Sequence, residues 1–246
     1  MPQTSSSAFV TTRWTRVLAA RGDSESARAA LSELCSAYYG PVVAYLTHTG
    51  CGAEEPRELA HEFFASLLAL NGLAGAEVGR GKFRSYLLGA LKHFISKRRL
   101  RASREKRGGQ IEHQSLEVAS DTNFEMQVAA ESPRMESLFD REWALAMVER
   151  ALALLEREAE SAGTHEQFAV LKSWLSFDEP PGSQASAAAR LGVNEGAVKV
   201  AVHRLRRRFR ELVRAEVEQT VPTGEDLEIE LHHLIEVLAS QQSSIG

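Results

Sequence analysis

Between Ser183 and Leu212 the chain specifies two helices and the turn that joins them, and few arrangements satisfy all of these residues at once. Ser183 is placed to cap a short helix bearing Ala185, Ala188, Ala189 and Leu191. Gly192 follows, the residue type that most readily takes the left-handed conformation closing a helix. Val193 is expected to plug the turn, and Asn194 to cap the next helix. There Val198, Val202, Leu205, Phe209 and Leu212 recur at spacings of four, three, four and three, a single apolar stripe. The other faces carry Glu195, Lys199, His203, Arg204, Arg206, Arg207 and Arg208. Two helices across a short glycine-containing turn, the second one basic, describe a DNA-reading helix-turn-helix. The first turn of the second helix would reach base edges, and the arginines further on would bind phosphates. The bland alternative is a helical hairpin with a charged surface; the agreement of turn, cap, stripe and charge favours DNA.

The rest of the chain also reads as helical, being rich in Ala, Leu, Glu and Arg with little period-two alternation. Helices are expected over Ser24–Tyr39, Pro41–His48, Pro56–Leu70 and Lys82–Arg107, with Gly40-Pro41 and Gly50-Cys51-Gly52 as breaks. From Gly108 to Pro133 the apolar periodicity fades, and five acids (Glu112, Glu117, Asp121, Glu125, Glu131) occur without a Lys or Arg. Such a segment buries too little apolar surface to offset its ordering entropy, so it reads as a flexible acidic linker. A second helical block runs from Met135 to Val217, broken at Asp178-Glu179-Pro180-Pro181-Gly182. After Pro222-Thr223-Gly224, Leu227, Leu231, Leu234 and Leu238 mark a last amphipathic helix among acids. The simplest expectation is that this helix completes the core of the helix-turn-helix domain. The sharper one is that it folds over a basic face of that domain or of the Lys82–Arg107 helix.

The net charge of −4 conceals strong asymmetry. Residues 80–107 hold eleven Lys/Arg and one acid, and residues 195–214 hold seven and two. Concentrated basic segments in an acidic chain are the footprint of a polyanion-binding protein. In the first segment Phe83, Tyr86 and Phe94 are interleaved with cations, a mixture suited to unpaired bases, although Phe83 and Phe94 also read as core residues. His61-Glu62-Phe63-Phe64-Ala65 begins like a zinc-protease helix, but Ala65 stands where the second histidine is required. No nucleophile–base set and no phosphate-binding glycine loop stand out, so neither catalytic residues, a metal nor a cofactor is expected. Two cysteines, Cys35 and Cys51, argue against a disulfide framework and fit a reducing compartment. Neither a signal peptide nor a run of about 18 apolar residues is evident, so a cytoplasmic protein without membrane contact is expected.

These pieces resemble a family. Arg57-Glu58-Leu59-Ala60-His61-Glu62-Phe63-Phe64 resembles the acidic helix of sigma domain 2. Phe83-Arg84-Ser85-Tyr86-Leu87 through Arg101 is similar to the helix that follows it, and Gly192 to Arg210 to the end of sigma domain 4. With order and separation matching over residues 8–215, the chain resembles RNA polymerase sigma factors of the extracytoplasmic-function type. Phe9-Val10-Thr11-Thr12-Arg13-Trp14 and Ala197 to Arg208 are similar to an ECF-like group common in planctomycetes and myxobacteria.

The resemblance implies an all-α chain of two helical domains. Residues 1–108 would be the domain 2-like part, 109–133 the acidic linker, 134–221 the domain 4-like helix-turn-helix, and 222–246 a C-terminal helical extension. It implies promoter-directed transcription initiation with core RNA polymerase, held at the β′ clamp and β flap, on promoter DNA; an anti-sigma or other regulatory protein is a further partner it allows. Glu58, His61, Glu62 and Phe64 would lie at the clamp. Tyr86, Lys92, His93, Lys97 and Arg98 would face the minus-ten strand, and Glu195, Gly196, Lys199, Val200, His203, Arg204 and Arg207 the minus-thirty-five duplex. Departures from the family pattern include His61 for Gln, Tyr86 for Trp, His93 for Asn, Lys97 for Asp, Ala197 for Thr and Ala201 for Arg. The competing readings are a helix-turn-helix regulator that acts without polymerase, and a polymerase-binding adaptor without promoter-specific initiation.

Overall fold

The computed structural model describes residues 12–19, 24–49, 55–68, 82–106, 133–175 and 183–240. They form nine α-helices and one short 3-10 helix with no strand among them; the chain is all-α. It divides into two compact units, Met1–Ala144 with Thr220–Gly246, and Leu145–Gln219. The acidic segment 109–132 and the Asp178–Gly182 break lie outside the described residues.

The first unit holds α1 (Arg13–Ala19), α2 (Glu25–His48), α3 (Pro56–Leu68), α4 (Phe83–Lys106), the opening of α5 (Pro133–Ser161) and α9 (Gly224–Ala239). Helix α2 is capped by Ser24, whose Oγ accepts the Ala27 N–H at 3.1 Å. The helix then runs straight through Gly40-Pro41, where a break was expected. An interior proline costs about 3 kcal/mol. Tyr38, Val42, Tyr45 and Leu46 are nevertheless buried on both sides of it, and at about 1.5–3 kcal/mol for each large apolar side chain their packing outweighs the loss.

Helix α4 buries Phe83, Leu87, Leu91 and Ile95, one residue in four, and this narrow stripe leaves its other faces to charge. Phe83 packs edge-on against Tyr38 at 5.0 Å and beside Trp14 at 5.1 Å. The α4 N-terminus is closed from far along the chain: the Phe83 N–H donates to the Thr220 carbonyl at 2.9 Å. The neighbouring Val221 carbonyl accepts the Thr12 hydroxyl at 3.0 Å. That connector leads into α9, which buries Leu227 and Leu234 and, between them, Glu230. The C-terminal helix thus belongs to the unit of α4 and does not complete the helix-turn-helix core. Likewise, residues 134–144 and 220–221, assigned from sequence to the second domain, group with the first unit.

The second unit holds the remainder of α5, α6 (His165–Leu171), the 3-10 helix Lys172–Leu175, α7 (Gln184–Leu191) and α8 (Glu195–Glu218). One apolar cluster joins Val170, Leu171 and Trp174 to Ala187, Ala188, Val198 and Val202. A second joins Ala151, Leu155 and Phe168 to Leu212, and Leu205 packs against both. The α8 stripe is as expected, with Leu205 and Phe209 partly buried and Val198, Val202 and Leu212 buried. The α7 stripe is rotated from the expected one: Ala187, Ala188 and Leu191 face Trp174 and Val198, while Ala185 and Ala189 are exposed. Val193 does not plug the turn but is exposed, because Leu191 already closes that end of the cluster.

Candidate nucleic-acid interface

The turn between α7 and α8 is built by three residues whose chemistry suits their backbone. Ser183 Oγ accepts the Ser186 N–H at 3.2 Å and starts α7. Gly192 ends it at φ 66° and ψ 29°, a left-handed conformation that costs other residues about 1–2 kcal/mol. Asn194 Oδ1 accepts the Ala197 N–H at 2.8 Å and starts α8. A Cβ at position 196 would lie 3.2 Å from that same Oδ1, so Gly196 leaves room for the cap.

With Val198, Val202 and Leu212 turned inward, Glu195, Gly196, Lys199, Val200, His203, Arg204 and Arg207 are all exposed along one side of α8. The helix sorts its cations into two groups. Arg206 donates to the Trp174 carbonyl at 2.9 Å, and Arg207 to Glu211 at 3.0 Å. Arg208 forks onto both oxygens of Glu158 at 2.9 and 2.6 Å and reaches Glu211 at 3.1 Å. Through these contacts Arg208 is held above the usual guanidinium range and Glu158 below the usual carboxylate range. Lys199, His203, Arg204 and Arg210 have no polar partner among the described residues. The sequence could not separate the two groups, because Glu158 lies fifty residues upstream of Arg208.

On α4, Tyr86 is partly buried against Trp14 at 5.4 Å, and burial pushes its phenol up to about 12. Lys92 pairs with Glu136 of α5 and Arg98 with Glu62 of α3. His93 and Lys97 are exposed, and neither Lys97 nor Arg101 has a polar partner among the described residues. Arg98 also lies over the Phe94 ring, 5.9 Å from its centre. On α3, Glu58, His61 and Glu62 are exposed, and His61 Nε2 meets the Tyr39 hydroxyl at 3.0 Å. Phe64 differs from its expected role at a partner surface. It is only 7 % exposed, because α3 turns Leu59, Phe63, Phe64 and Leu67 toward the core, and its ring packs on Phe63 and Tyr39.

Sequence reasoning missed the polar centre of the first unit. Glu230, with no exposed surface, takes Lys82 Nζ at 2.8 Å and Arg84 Nε at 2.7 Å. Arg84 also pairs with Asp140, which holds His233 at 3.0 Å, and lies 5.1 Å from the centre of the Trp143 ring. Burial alone would raise the Glu230 carboxyl, but the hydrogen bonds and charges of Arg84 and Lys82 outweigh it and hold it below the usual range. The one signal in the sequence was position: Glu230 falls inside the stripe from Leu227 to Leu234.

Among the described residues no group of three or more His, Cys, Asp and Glu side chains could hold a metal, and no helix is long and apolar enough to cross a membrane. Cys35 is buried, and burial pushes its thiol up to about 12. No protein-family model matches the chain, and neither does any curated protein or solved structure.

Proposed function

We propose that this chain is an RNA polymerase sigma factor of the extracytoplasmic-function type, a cytoplasmic, non-enzymatic subunit that directs core polymerase to promoters. In this reading α8 reads the minus-thirty-five duplex through Glu195, Gly196, Lys199, Val200, His203 and Arg204. Lys199 and Arg204 neutralise phosphates, while Arg207 contributes only as far as Glu211 releases it. Tyr86, Lys92, His93, Lys97 and Arg98 on α4 face the minus-ten strand, and Glu58, His61 and Glu62 on α3 meet the polymerase clamp. Residues 109–132 serve as the acidic linker between the two DNA-reading parts.

The observation that carries the reading is the capped turn of Ser183, Gly192 and Asn194 beneath an exposed helix face whose leading cations have no polar partner among the described residues. A charged surface built for stability would be expected to pair those cations, as Arg206, Arg207 and Arg208 of the same helix are paired. A second reading, a polymerase-binding adaptor that does not initiate at promoters, draws support from α4, where Lys92 and Arg98 are already neutralised by Glu136 and Glu62.

Run-off transcription with purified core polymerase on a fragment library tests both. Discrete transcripts dependent on the added chain are expected. Co-purification with core polymerase without any such transcript would overturn the sigma reading in favour of the adaptor, and DNA binding without polymerase association would leave a stand-alone regulator.

A further inference from the structure

We propose that Val200 is the residue on which base readout by α8 turns, and that it reads the C5 methyl group of a thymine in the major groove. The inference rests on the reading of α8 as a DNA-recognition helix and adds what that helix recognises.

With 3.6 residues per turn, each residue is rotated about 100° from the last. On that wheel Phe209 and Val198 lie nearly opposite Val200, and both pack inward. Val200 therefore stands at the crest of the outward face, where its side chain is 50 % exposed outside both apolar clusters. Its neighbours on the crest are Gly196 one turn earlier and Arg204 one turn later. Gly196 projects no side chain, and the Asn194 cap leaves little room for one, so nothing on that side holds the helix away from a groove floor. Lys199 and His203 lie to one side of the crest, and the Arg204 side chain is long enough to bend from it to a phosphate; none of the three has a polar partner among the described residues.

The group that enters deepest is thus an isopropyl, with neither donor nor acceptor. In the major groove the hydrogen-bonding atoms of the base edges would be desolvated by it without replacement, and the cytosine C5–H offers no group that projects toward it. The thymine methyl is the one apolar group that projects there, so Val200 favours thymine and disfavours the other bases.

The test uses the full-length chain. Duplexes it selects from a random library are remade with deoxyuridine in place of one thymine at a time, which removes the C5 methyl and nothing else. Wild type is expected to lose about fourfold in affinity at one position, the worth of one buried methyl group. Val200→Ser is expected to bind the thymine and deoxyuridine duplexes equally, with thermal midpoint and circular dichroism unchanged because the position is exposed and outside the core. Wild type indifferent to deoxyuridine at every thymine would overturn the inference, as would deoxyuridine sensitivity that survives in Val200→Ser. Failure to retain any duplex at low salt would overturn the reading of α8 itself, and this inference with it.

Discussion

Replacing Glu230 with Leu should cost the first unit more than any exposed charge change in the chain. The carboxylate has no exposed surface, and its partners are themselves largely covered, the Lys82 and Arg84 side chains being 16 % and 13 % exposed. Removing one member of a buried pair leaves the other charge desolvated and uncompensated, at about 3–5 kcal/mol. Asp140 still holds Arg84, which places the expected loss near the lower end. At roughly 2–4 °C per kcal/mol for a chain of this size, about 3 kcal/mol lowers the thermal midpoint by roughly 6–12 °C. Trp14 and Trp143 lie buried in the first unit, so their near-ultraviolet circular dichroism follows that unit.

Glu230→Gln should lose less, since the amide oxygen still accepts from Arg84. Pairing Glu230→Leu with Lys82→Met should recover part of the loss, because Lys82, which pairs with Glu230 alone among the described residues, is the cation left stranded. The pH dependence has a definite sign. The folded carboxyl is held below its unfolded value, so its contribution is complete above the unfolded value near 4.3 and fades as pH falls through the lowered one. The difference between wild type and Glu230→Leu should therefore shrink in acid. A midpoint for Glu230→Leu within 1 °C of wild type at neutral pH would refute the reasoning, as would a difference that grows on acidification.

Asn194→Ala removes the side chain that accepts the Ala197 N–H and should destabilise the second unit by about 1 kcal/mol in chemical denaturation. Arg204→Ala should lower the log–log salt slope of DNA binding by about 0.9, whereas Arg208→Ala, whose charge Glu158 and Glu211 already neutralise, should change it far less. Equal slopes for the two variants would argue against the division of α8 into free and engaged cations. Glu62→Lys reverses an exposed charge beside Arg98 and should weaken co-purification with core polymerase while leaving helicity intact. Ending the chain after Pro222 removes Leu227, Glu230 and Leu234 together and should lower the midpoint of the first unit, not merely expose a basic surface.

What the sequence by itself determined is local. Ser183, Gly192 and Asn194 act through bonds to residues three or four positions away, and the α8 stripe is a property of one helix, so the caps, the turn glycine and that stripe were legible, whereas the buried face of α7 and the place of Val193 were not. The all-helical class followed from the same short-range periodicity. The tertiary structure decided whatever depends on a distant partner. Pro41 remains helical because residues on both sides of it are buried, and Phe64 is core because α3 turns it toward Tyr39. Glu158, fifty positions upstream, engages Arg208 and so separates it from Arg204 only four positions away, which has no polar partner among the described residues. Glu230 reads in sequence as one more acid in an acidic helix, yet it is the buried counter-ion of Lys82 and Arg84 about 146 positions upstream. The physical reason is common to these cases. A cap or a stripe is decided by neighbours along the chain, whereas the cost of burying a charge, or the freedom of an arginine to meet phosphate, depends on which helix comes to lie against it.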